Sequence, residues 1–355
     1  MPQKKPKIIV AVSGGLDSSM AAWLLQKKGY EVLGIFLRLT SDDVQEEAAR
    51  KVCHYLNIKF YPINLKSRFK QKIINYFLGA YACGLTPNPC IKCNYEIKFG
   101  ELLRIAKELN INFLATGHYV RKKTTKIKNK IIYRLFRAKD KSKDQSYFLY
   151  RLNQKQLAHT IFPLGNYLKN DLKKIAQKNN IPYFQKESQD ICFLQENGRI
   201  IDHKIFLQKH LKLKPGSIKL LGSNKVIGEH NGLPLYTLGQ RKGVEIGGTG
   251  PFYVAGFDYK KNILYVVSKD NLKALWKKEF RVSELNWISG LPKFPLICQV
   301  VIRYRHQATE CIIDTNKKNK NQCIVKLKKP ERAITPGQSA VFYNKDEVLG
   351  GGIII

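Results

Sequence analysis

The chain has 355 residues, of which 44% are hydrophobic, 11% aromatic and 25% charged, and this composition excludes a disordered or fibrous chain. Its length predicts two or three domains. The 62 Lys and Arg residues exceed the 27 Asp and Glu residues by 35 charges, which predicts a nucleic-acid partner. An excess of Lys and Arg spread over the whole solvated surface would give the same net charge, so charge alone does not decide the function.

The sequence contains no run of about 20 apolar residues such as a membrane-spanning helix needs. The basic start at residues 1–7 lacks the long apolar region of a signal peptide, because Ser13-Gly14-Gly15 follows almost at once. We therefore expect a cytoplasmic protein without a membrane partner. In that reducing compartment, its eight cysteines are expected to be catalytic, metal-binding or buried rather than disulfide-bonded.

The first part of the chain alternates strand and helix patterns. Residues 8–12 form an apolar run typical of a buried parallel strand, and Met20, Trp23 and Leu24 then share one helical face. Asp42 with Gln45 predicts the capping box of a second helix. Further strands are predicted at residues 32–37, 59–63 and 113–115, with helices between them. This order predicts a doubly wound parallel sheet with right-handed crossovers.

The pattern changes after about residue 199. Gly and Pro become frequent at residues 215–251, and strand alternation appears at residues 263–267. Residues 317–321 are expected to form a hairpin tip, and residues 121–130 a basic loop. The last eighty or so residues predict a small antiparallel barrel or sandwich, with strands at residues 296–304, 309–313, 323–327 and 339–343.

A phosphate-binding loop is predicted between the first strand and its helix. The string there is Ser13-Gly14-Gly15-Leu16-Asp17-Ser18, in which glycines let the backbone approach an anion and serines add hydroxyl donors. Asp17 is a candidate magnesium ligand, directly or through water. The string lacks the Gly-Lys-Ser/Thr ending of Walker A, so transfer of a γ-phosphate is not expected. It resembles the PP-loop of ATP pyrophosphatases, which cleave between the α- and β-phosphates and adenylate a substrate.

Cysteines and further strings extend this resemblance over essentially the whole chain. Cys90 and Cys93 lie three residues apart, and Cys192 follows far along the chain. Together with the PP-loop, these strings resemble bacterial-type tRNA-specific 2-thiouridylases. The matching strings, in family order, are Thr86-Pro87-Asn88-Pro89-Cys90-Ile91-Lys92-Cys93-Asn94, Glu96-Ile97-Lys98-Phe99-Gly100, Ala115-Thr116-Gly117-His118-Tyr119, Lys143-Asp144-Gln145-Ser146-Tyr147-Phe148-Leu149, Ser188-Gln189-Asp190-Ile191-Cys192-Phe193, Leu238-Gly239-Gln240-Arg241-Lys242-Gly243, Arg303-Tyr304-Arg305 and Thr335-Pro336-Gly337-Gln338-Ser339-Ala340-Val341.

The resemblance implies an α/β fold with three domains. These are a doubly wound parallel-sheet PP-loop (adenine nucleotide alpha hydrolase-like) domain at residues 1–200, a small central domain at 201–272 and a C-terminal antiparallel β-barrel that binds tRNA at 273–355. It also implies a sulfurtransferase that uses ATP and Mg²⁺ to replace the 2-oxygen of the wobble uridine in tRNAs for Lys, Glu and Gln. A sulfur relay protein or cysteine desulfurase would supply the sulfur.

The same resemblance assigns roles to individual residues. Cys93 is implied as the nucleophile and Cys192 as the carrier of persulfide sulfur. Basic surroundings at Lys92 and Lys98, with the helix start after Asn94, are expected to lower a thiol pKa. Implied ATP contacts are Ala11, Val12, Ser13, Gly14, Gly15, Leu16, Asp17, Ser18, Leu37 and Gly117, and implied tRNA contacts are Asn88, Pro89, Cys90, His118, Lys143, Asp144, Gln145, Arg303, Tyr304, Arg305 and Gln338.

Two hypotheses for the sulfur chemistry stay open, because many family members carry Asp at the position of Cys90. One is a persulfide relay with a transient disulfide between Cys93 and Cys192. The other is a 4Fe-4S cluster held by Cys90, Cys93 and Cys192, since three soft ligands leave one iron open for sulfide. A zinc knuckle is less favoured because a second Cys pair is missing. Cys53, Cys83, Cys298, Cys311 and Cys323 are expected to be buried small hydrophobes.

Two rival functions remain at this stage. Another PP-loop tRNA modifier would thiolate a cytidine or join lysine to one, and the sulfur-free version would not need Cys93 and Cys192. A non-catalytic RNA-binding protein would retain the basic charge with a relic loop. The intact PP-loop beside three placed cysteines argues against this second rival.

Overall fold

The structure is a computed structural model that describes residues 5–41, 43–184, 191–196, 199–223, 225–244, 246, 251–315 and 321–355. The predicted capping residue Asp42, the string Ser188-Gln189-Asp190 and residues 317–320 of the predicted hairpin tip lie outside these described residues. The predicted combination of a parallel-sheet domain, a small middle domain and an antiparallel barrel is confirmed. No helix within the described ranges is long and apolar enough to cross a membrane.

The N-terminal part contains a five-stranded parallel sheet of order β3-β2-β1-β4-β7. Its strand order reverses direction between β1 and β4, and ligands bind in open α/β sheets at such a point, beyond the carboxyl ends of the strands. The bounds are β1 Lys7–Ala11, α1 Leu16–Lys27, β2 Glu31–Arg38, α2 Asp43–Tyr55, β3 Lys59–Asn64, α3 Lys66–Phe69, α4 Asn75–Ala82, α5 Pro89–Lys92, α6 Phe99–Glu108, β4 Phe113–Ala115, α7 Gln154–Ala158, β7 Thr160–Ile161 and α8 Lys169–Lys178.

Two π-helical segments interrupt the helices that flank the predicted cysteine site. Residues Lys70–Ile74 join α3 to α4, and Cys93–Lys98 join α5 to α6. Side chains of the second segment and of the helix that follows it pack into two different hydrophobic cores. Phe99 packs under the parallel sheet, whereas Cys93 and Ile97 pack with the α3–α4 helices and the central domain. Isolated π segments occur often at functional sites because they re-aim side chains.

The predicted basic loop at residues 121–130 is wrong. The segment forms a β-hairpin of β5 Val120–Ile127 and β6 Lys130–Arg137, and β6 pairs with the last strand of the C-terminal sheet. The strand pattern of β5 was not recognisable in the sequence, because lysines occupy its exposed positions. The hairpin therefore connects the first domain to the barrel through main-chain hydrogen bonds.

The central part contains a short β-ribbon, a helix and a four-stranded sheet of order β11-β10-β13-β12. Its apolar side chains share a core with the α3–α4 helices and with Cys93. The bounds are β8 Gln195–Glu196, β9 Arg199–Ile200, α9 His203–His210, β10 Gly216–Leu220, β11 Val226–His230, β12 Phe252–Asp258 and β13 Ile263–Ser268, with 3₁₀ turns at Leu233–Leu235 and Lys269–Leu275. A further 3₁₀ turn, Ser146–Leu149, lies in the N-terminal part before α7.

The C-terminal strands form a closed antiparallel barrel, since β14 pairs with both β17 and β19. The predicted strand at residues 296–304 is three residues too long: β15 ends at Val301, and Arg303–Arg305 lie in a turn in which Arg305 has φ +63°. The bounds are β14 Trp276–Trp287, β15 Leu296–Val301, β16 Thr309–Thr315, β17 Cys323–Arg332, β18 Ser339–Asn344 and β19 Glu347–Ile354.

Candidate active site

The PP-loop is a tight turn held by its own serines. The backbone N–H of Ser13 donates to Ser18 Oγ at 3.0 Å, and Ser18 Oγ donates to the carbonyl of Gly15 at 3.0 Å. Gly14 has φ +79°, and a Cβ there would lie 2.6 Å from the Cβ of Ala48. The turn leads directly into α1, whose first-turn N–H groups and positive dipole end favour an anion.

Asp17 lies in the first turn of α1 and is held from two sides. The Tyr119 hydroxyl donates to Asp17 Oδ1 at 2.8 Å, and the Lys169 ammonium lies 3.4 Å from Asp17 Oδ2. The carboxylate remains 33% exposed, so it can still face a ligand beside the loop. One carboxylate next to substrate phosphates is a donor set that suits Mg²⁺.

The end of β4 closes the other side of this cleft. A Cβ on Gly117 would lie 2.8 Å from the backbone N of Ser18 and 2.8 Å from the carbonyl carbon of Asp17. Only glycine permits this approach without moving α1. The other residues implied as ATP contacts also lie toward the carboxyl edge of the sheet, where ligands bind in such folds: Ala11 and Val12 at the end of β1, and Leu37 near the end of β2.

His118 lies between the nucleotide cleft and the cysteine helix. Its Nδ1 is 2.8 Å from Thr116 Oγ1, and its ring centroid is 5.7 Å from that of Phe99. Burial, with a smaller contribution from the Lys98 charge, lowers the pKa of His118 well below its usual range, so the ring is neutral at pH 7. The side chain is 8% exposed, and its contact with tRNA stays a prediction.

Cys90 and Cys93 lie on one continuous helical run, three residues apart and thus on the same face. Cys93 is 6% exposed and Cys90 is half-buried. Burial raises the pKa of both thiols, and the positive charge of Lys98 opposes that rise. The predicted lowering of these pKa values is therefore wrong in its net direction, because the loss of hydration outweighs the nearby cation.

Cys192 is brought to the same place by its neighbour in sequence. Phe193 is buried in the core that contains Cys93, with its ring centroid 5.1 Å from that of Phe77. Cys192 is exposed as a residue, and partial loss of hydration at its sulfur raises the pKa of the thiol to about 11. A charge on Cys192 or Cys90 also raises the pKa of Cys93, so the three thiols are within electrostatic reach of one another.

Of the two lysines expected near the thiols, Lys92 is paired with a carboxylate, whereas Lys98 has no carboxylate partner among the described residues. Lys92 and Lys72 both pair with Glu96, at N–O distances of 2.5 and 3.3 Å. Within the described ranges no carboxylate pairs with Lys98. Because the π-helix hydrogen-bonds residues five apart, Lys98 lies about one turn from Cys93 on a similar face. Its charge acts on Cys90, Cys93, Cys192 and His118.

The donor geometry does not fit the expected 4Fe-4S cluster. In the part of the chain that the structure describes, no three His, Cys, Asp or Glu side chains are grouped closely enough to hold a metal ion. Cys90, Cys93 and Cys192 are neighbours without forming such a group. The arrangement suits thiol exchange, which needs one pair of sulfurs in contact at a time.

Buried polar groups support the cysteine helix from the adjacent 3₁₀ turn. Asn94 Nδ2 donates to the carbonyl of Phe148 at 3.2 Å, and Asn94 Oδ1 is buried without a partner among the described residues. Sequence reasoning assigned no role to Asn94 beyond the helix start, and none to Tyr119 or Lys169. Asn94 and Tyr119 lie in strings that match the family, whereas nothing in the sequence marks Lys169.

The Lys143-Asp144-Gln145 string is engaged inside the protein. Asp144 is 9% exposed and accepts from the backbone of Ala138 and the hydroxyl of Ser146. Gln145 Oε1 accepts from the backbone N–H of Tyr119 at 3.0 Å. These bonds link the string to the residue that holds Asp17. Direct contact of Lys143, Asp144 and Gln145 with tRNA stays a prediction.

The barrel presents cations around an aromatic side chain. Arg303 and Arg305 are exposed, whereas Tyr304 packs against Phe148, with ring centroids 4.4 Å apart. The predicted separation of both arginines from Tyr304 by strand alternation is wrong, because the segment is a turn in which the Arg305 guanidinium lies over the Tyr304 ring, 5.3 Å from its centroid. Through Phe148, the arginine turn is coupled to Asn94 on the cysteine helix.

A second turn of the barrel holds the loop that precedes Cys90. Gln338 Nε2 donates to the carbonyl of Thr86 at 2.9 Å, and the N–H of Thr86 donates to the carbonyl of Pro336. Gly337 has φ +89°, and a Cβ there would lie 2.7 Å from the backbone N of Thr86. Gln338 therefore positions the Asn88-Pro89-Cys90 segment, and its contact with tRNA stays a prediction.

Comparisons with known proteins agree with this architecture. Residues 6–196 match the tRNA methyl transferase HUP domain, residues 204–268 the tRNA methyl transferase PRC-barrel domain and residues 277–354 the aminomethyltransferase beta-barrel domain. The chain is 41% identical to tRNA-specific 2-thiouridylase MnmA 2 of Thermoanaerobacter sp. (strain X514), over 98% of this chain and 97% of that protein. It is 39% identical to tRNA-specific 2-thiouridylase MnmA of Nitrosomonas europaea, over 99% and 98% of the two chains. With its PP-loop cleft and neighbouring cysteines, the chain belongs to the tRNA-specific 2-thiouridylase family.

Proposed function

We propose that this chain is an ATP-dependent tRNA sulfurtransferase that converts the wobble uridine of tRNAs for Lys, Glu and Gln to 2-thiouridine. The supporting observation is that the PP-loop cleft and the cysteine helix share one wall. Gly117 closes on Asp17 and Ser18, while the next residue, His118, packs on Phe99 immediately after the Cys93–Lys98 segment. An activated oxygen and an incoming sulfur can therefore meet at the same carbon.

The first step needs activation because a carbonyl oxygen is a poor leaving group. In the proposed step the uridine O2 attacks the α-phosphorus of ATP, the bond to the β-phosphate breaks and pyrophosphate leaves. The N–H groups of the first turn of α1, directly after the loop glycines, bind the phosphates and orient them for this attack. Asp17 would hold Mg²⁺, which neutralises charge on the departing phosphates when bound.

The second step replaces the activated oxygen with sulfur. The terminal sulfur of a persulfide on Cys192 attacks C2, the C2–O bond breaks and AMP leaves with the electron pair. The Cys93 thiolate attacks Cys192 Sγ, which releases the transferred sulfur and forms a Cys93–Cys192 disulfide. We favour this relay over a cluster because the three thiols do not form a metal-binding group in the described structure.

The proposed tRNA surface runs from the arginine turn to the loop before Cys90. Arg303 and Arg305 are exposed cations suited to phosphate, and Lys143 lies at the start of the string that supports Tyr119. The path toward Cys93 is lined or supported by Asn88, Pro89, Cys90, His118 and Gln338. A sulfur relay protein or cysteine desulfurase would have to reach Cys192, whose residue is exposed.

Nucleoside mass spectrometry tests the reaction. Deleting the gene should remove 2-thiouridine derivatives from tRNA and leave other thiolated bases intact, and expression of the wild-type chain should restore them. Cys93→Ser and Cys192→Ser should each fail to restore, whereas Cys53→Ser should succeed. Loss of a thiolated cytidine or of lysidine, with 2-thiouridine intact, would instead favour another PP-loop modifier. Restoration by Asp17→Asn would favour a non-catalytic RNA-binding role.

A further inference from the structure

Cys90 is a third thiol at a site where the proposed relay uses two. It lies on the same helical face as Cys93, one turn toward the helix start, and is the more exposed of the two. Residues three apart on a helix have Cβ atoms about 5–6 Å apart. Cys192 is held against this pair by Phe193, whose ring is buried among Phe69, Phe77 and Phe206.

We propose that Cys90 is a resolving thiol, which attacks the Cys93–Cys192 disulfide after each sulfur transfer and frees Cys192 for the next persulfide. The inference rests on the proposed function. In this step a Cys90–Cys93 disulfide bond forms and the Cys93–Cys192 bond breaks. The electron pair of the broken bond leaves on Cys192 as a thiolate, which takes up a proton, so the exchange needs no oxidant.

Position explains why Cys90 would attack Cys93. Helical spacing keeps the Cys90 and Cys93 sulfurs adjacent in any position of the Cys192 segment. Cys192, in contrast, lies in a turn. A disulfide needs Cβ atoms about 3.5–4.5 Å apart, so the first helical turn must tighten slightly to close the bond. The side chain of Asn88, at the N-cap, does not bond to this turn and instead bonds to Tyr147, which leaves the turn free to adjust.

Exposure then favours reopening of the new bond. Cys93 is 6% exposed, so a Cys93–Cys192 disulfide presents little sulfur to solvent on the Cys93 side. Half-buried Cys90 gives an external dithiol a point of attack on the Cys90–Cys93 bond. Reduction by two electrons from the dithiol returns Cys90 and Cys93 as thiols.

The test follows disulfides after one turnover. The full-length protein is treated with inorganic polysulfide, desalted, and mixed with ATP, Mg²⁺ and a tRNA for Lys without reductant, then quenched in acid with N-ethylmaleimide. Trypsin cleaves after Lys92 and so separates Cys90 from Cys93. The wild type should give the Cys90–Cys93 disulfide in at least fivefold excess over Cys93–Cys192, and Cys90→Ser should give only Cys93–Cys192.

Turnover supplies a second readout. With limiting dithiothreitol, Cys90→Ser and Cys90→Asp should turn over about tenfold more slowly than wild type. Asp is the residue of many family members there, so at least one variant is expected to fold. The expected burial of Cys83 is wrong, because the residue lies in the exposed turn after α4. Cys83→Ser, which changes this thiol outside the trio, should match wild type.

Three results would overturn the inference. They are equal Cys93–Cys192 disulfide in wild type and Cys90→Ser, equal turnover of these proteins, or iron and acid-labile sulfide bound in a way that Cys90→Ser abolishes. A wild-type protein that makes no 2-thiouridine at all would instead refute the proposed function, so the two failures are distinguishable.

Discussion

The hydroxyl of Tyr119 donates a 2.8 Å hydrogen bond to Oδ1 of Asp17, and the backbone of Tyr119 is in turn bonded to Gln145. Asp17 thereby has a fixed orientation at the mouth of the PP-loop. The bond connects three segments that are far apart in sequence: the first turn of α1, the end of β4 and the string around Gln145. It explains how a polar string remote from the loop can influence nucleotide chemistry.

This bond predicts graded losses of activity. Tyr119→Phe keeps the buried ring and removes only the hydroxyl, so AMP release should slow about tenfold, equivalent to about 1.4 kcal/mol. Asp17→Asn should slow AMP release about 100-fold or more, because the proposed ligand for Mg²⁺ is lost. Release of labelled AMP with saturating tRNA measures both. Equal rates for Tyr119→Phe and wild type would show that the orientation of Asp17 does not matter.

Gly117→Ala should weaken ATP binding by forcing α1 away from β4. The added methyl would lie 2.8 Å from backbone atoms of Asp17 and Ser18, which cannot rotate aside. We expect destabilisation of about 1–3 kcal/mol and a weaker ATP affinity by calorimetry. Gly79→Ala is the matched control, because nothing lies within 4 Å of its new methyl and α4 should gain up to about 1 kcal/mol. Unchanged ATP affinity in Gly117→Ala contradicts the placement of the nucleotide.

Lys98 should set the pH dependence of thiolation. Burial raises the pKa of Cys93 above its ordinary value, so the neutral thiol predominates at pH 7 and the rate should rise with pH as thiolate forms. Lys98→Met removes the opposing charge, raises the pKa further and should move the pH–rate profile about one unit toward alkaline pH.

The control for Lys98 is a lysine whose charge is already paired. Lys72→Met removes a cation held by Glu96 and should leave the profile in place, and Lys98→Arg should restore it. Single-turnover thiolation from pH 6.5 to 9.5 measures all three. A Lys98→Met profile equal to that of the wild type, or a Lys98→Arg variant that does not recover the wild-type rates, would contradict a role of the charge at residue 98.

The arginine turn should contribute to tRNA affinity through phosphate contacts. Replacing Arg303 and Arg305 by Gln should weaken tRNA binding and reduce the slope of log affinity against log salt by about 1.4, or about 0.7 per lost contact. Lys328→Gln changes an exposed cation of the same barrel that is paired with Glu310, and should leave the slope unchanged. Filter binding between 50 and 300 mM salt gives the slopes. Equal slopes in both variants would place tRNA elsewhere.

Local patterns were sufficient for the parallel sheet and the PP-loop. Residues 8–12 and 32–37 are short apolar runs typical of buried parallel strands, and they agree with β1 and β2. The predicted strand at residues 59–63 agrees with β3, the edge strand of the sheet. The loop string was recognisable because its chemistry is local, with glycines, serines and Asp17 in consecutive positions. The hairpin of β5 and β6 was not predicted from the sequence, because its pairing partner β19 lies more than 200 residues away.

The sequence by itself determined the fold class, the PP-loop and the identity of the three cysteines, since each depends on neighbouring residues or on family strings. Only the tertiary structure decided which charges act on the thiols. Lys92 and Lys98 both lie close to the cysteines in sequence, but Lys92 shares Glu96 with Lys72, whereas the charge of Lys98 acts on the thiols. It also decided that burial, which depends on the core around Phe193 and Ile97, outweighs that charge. Desolvation is a property of packed surroundings, which a linear string does not contain.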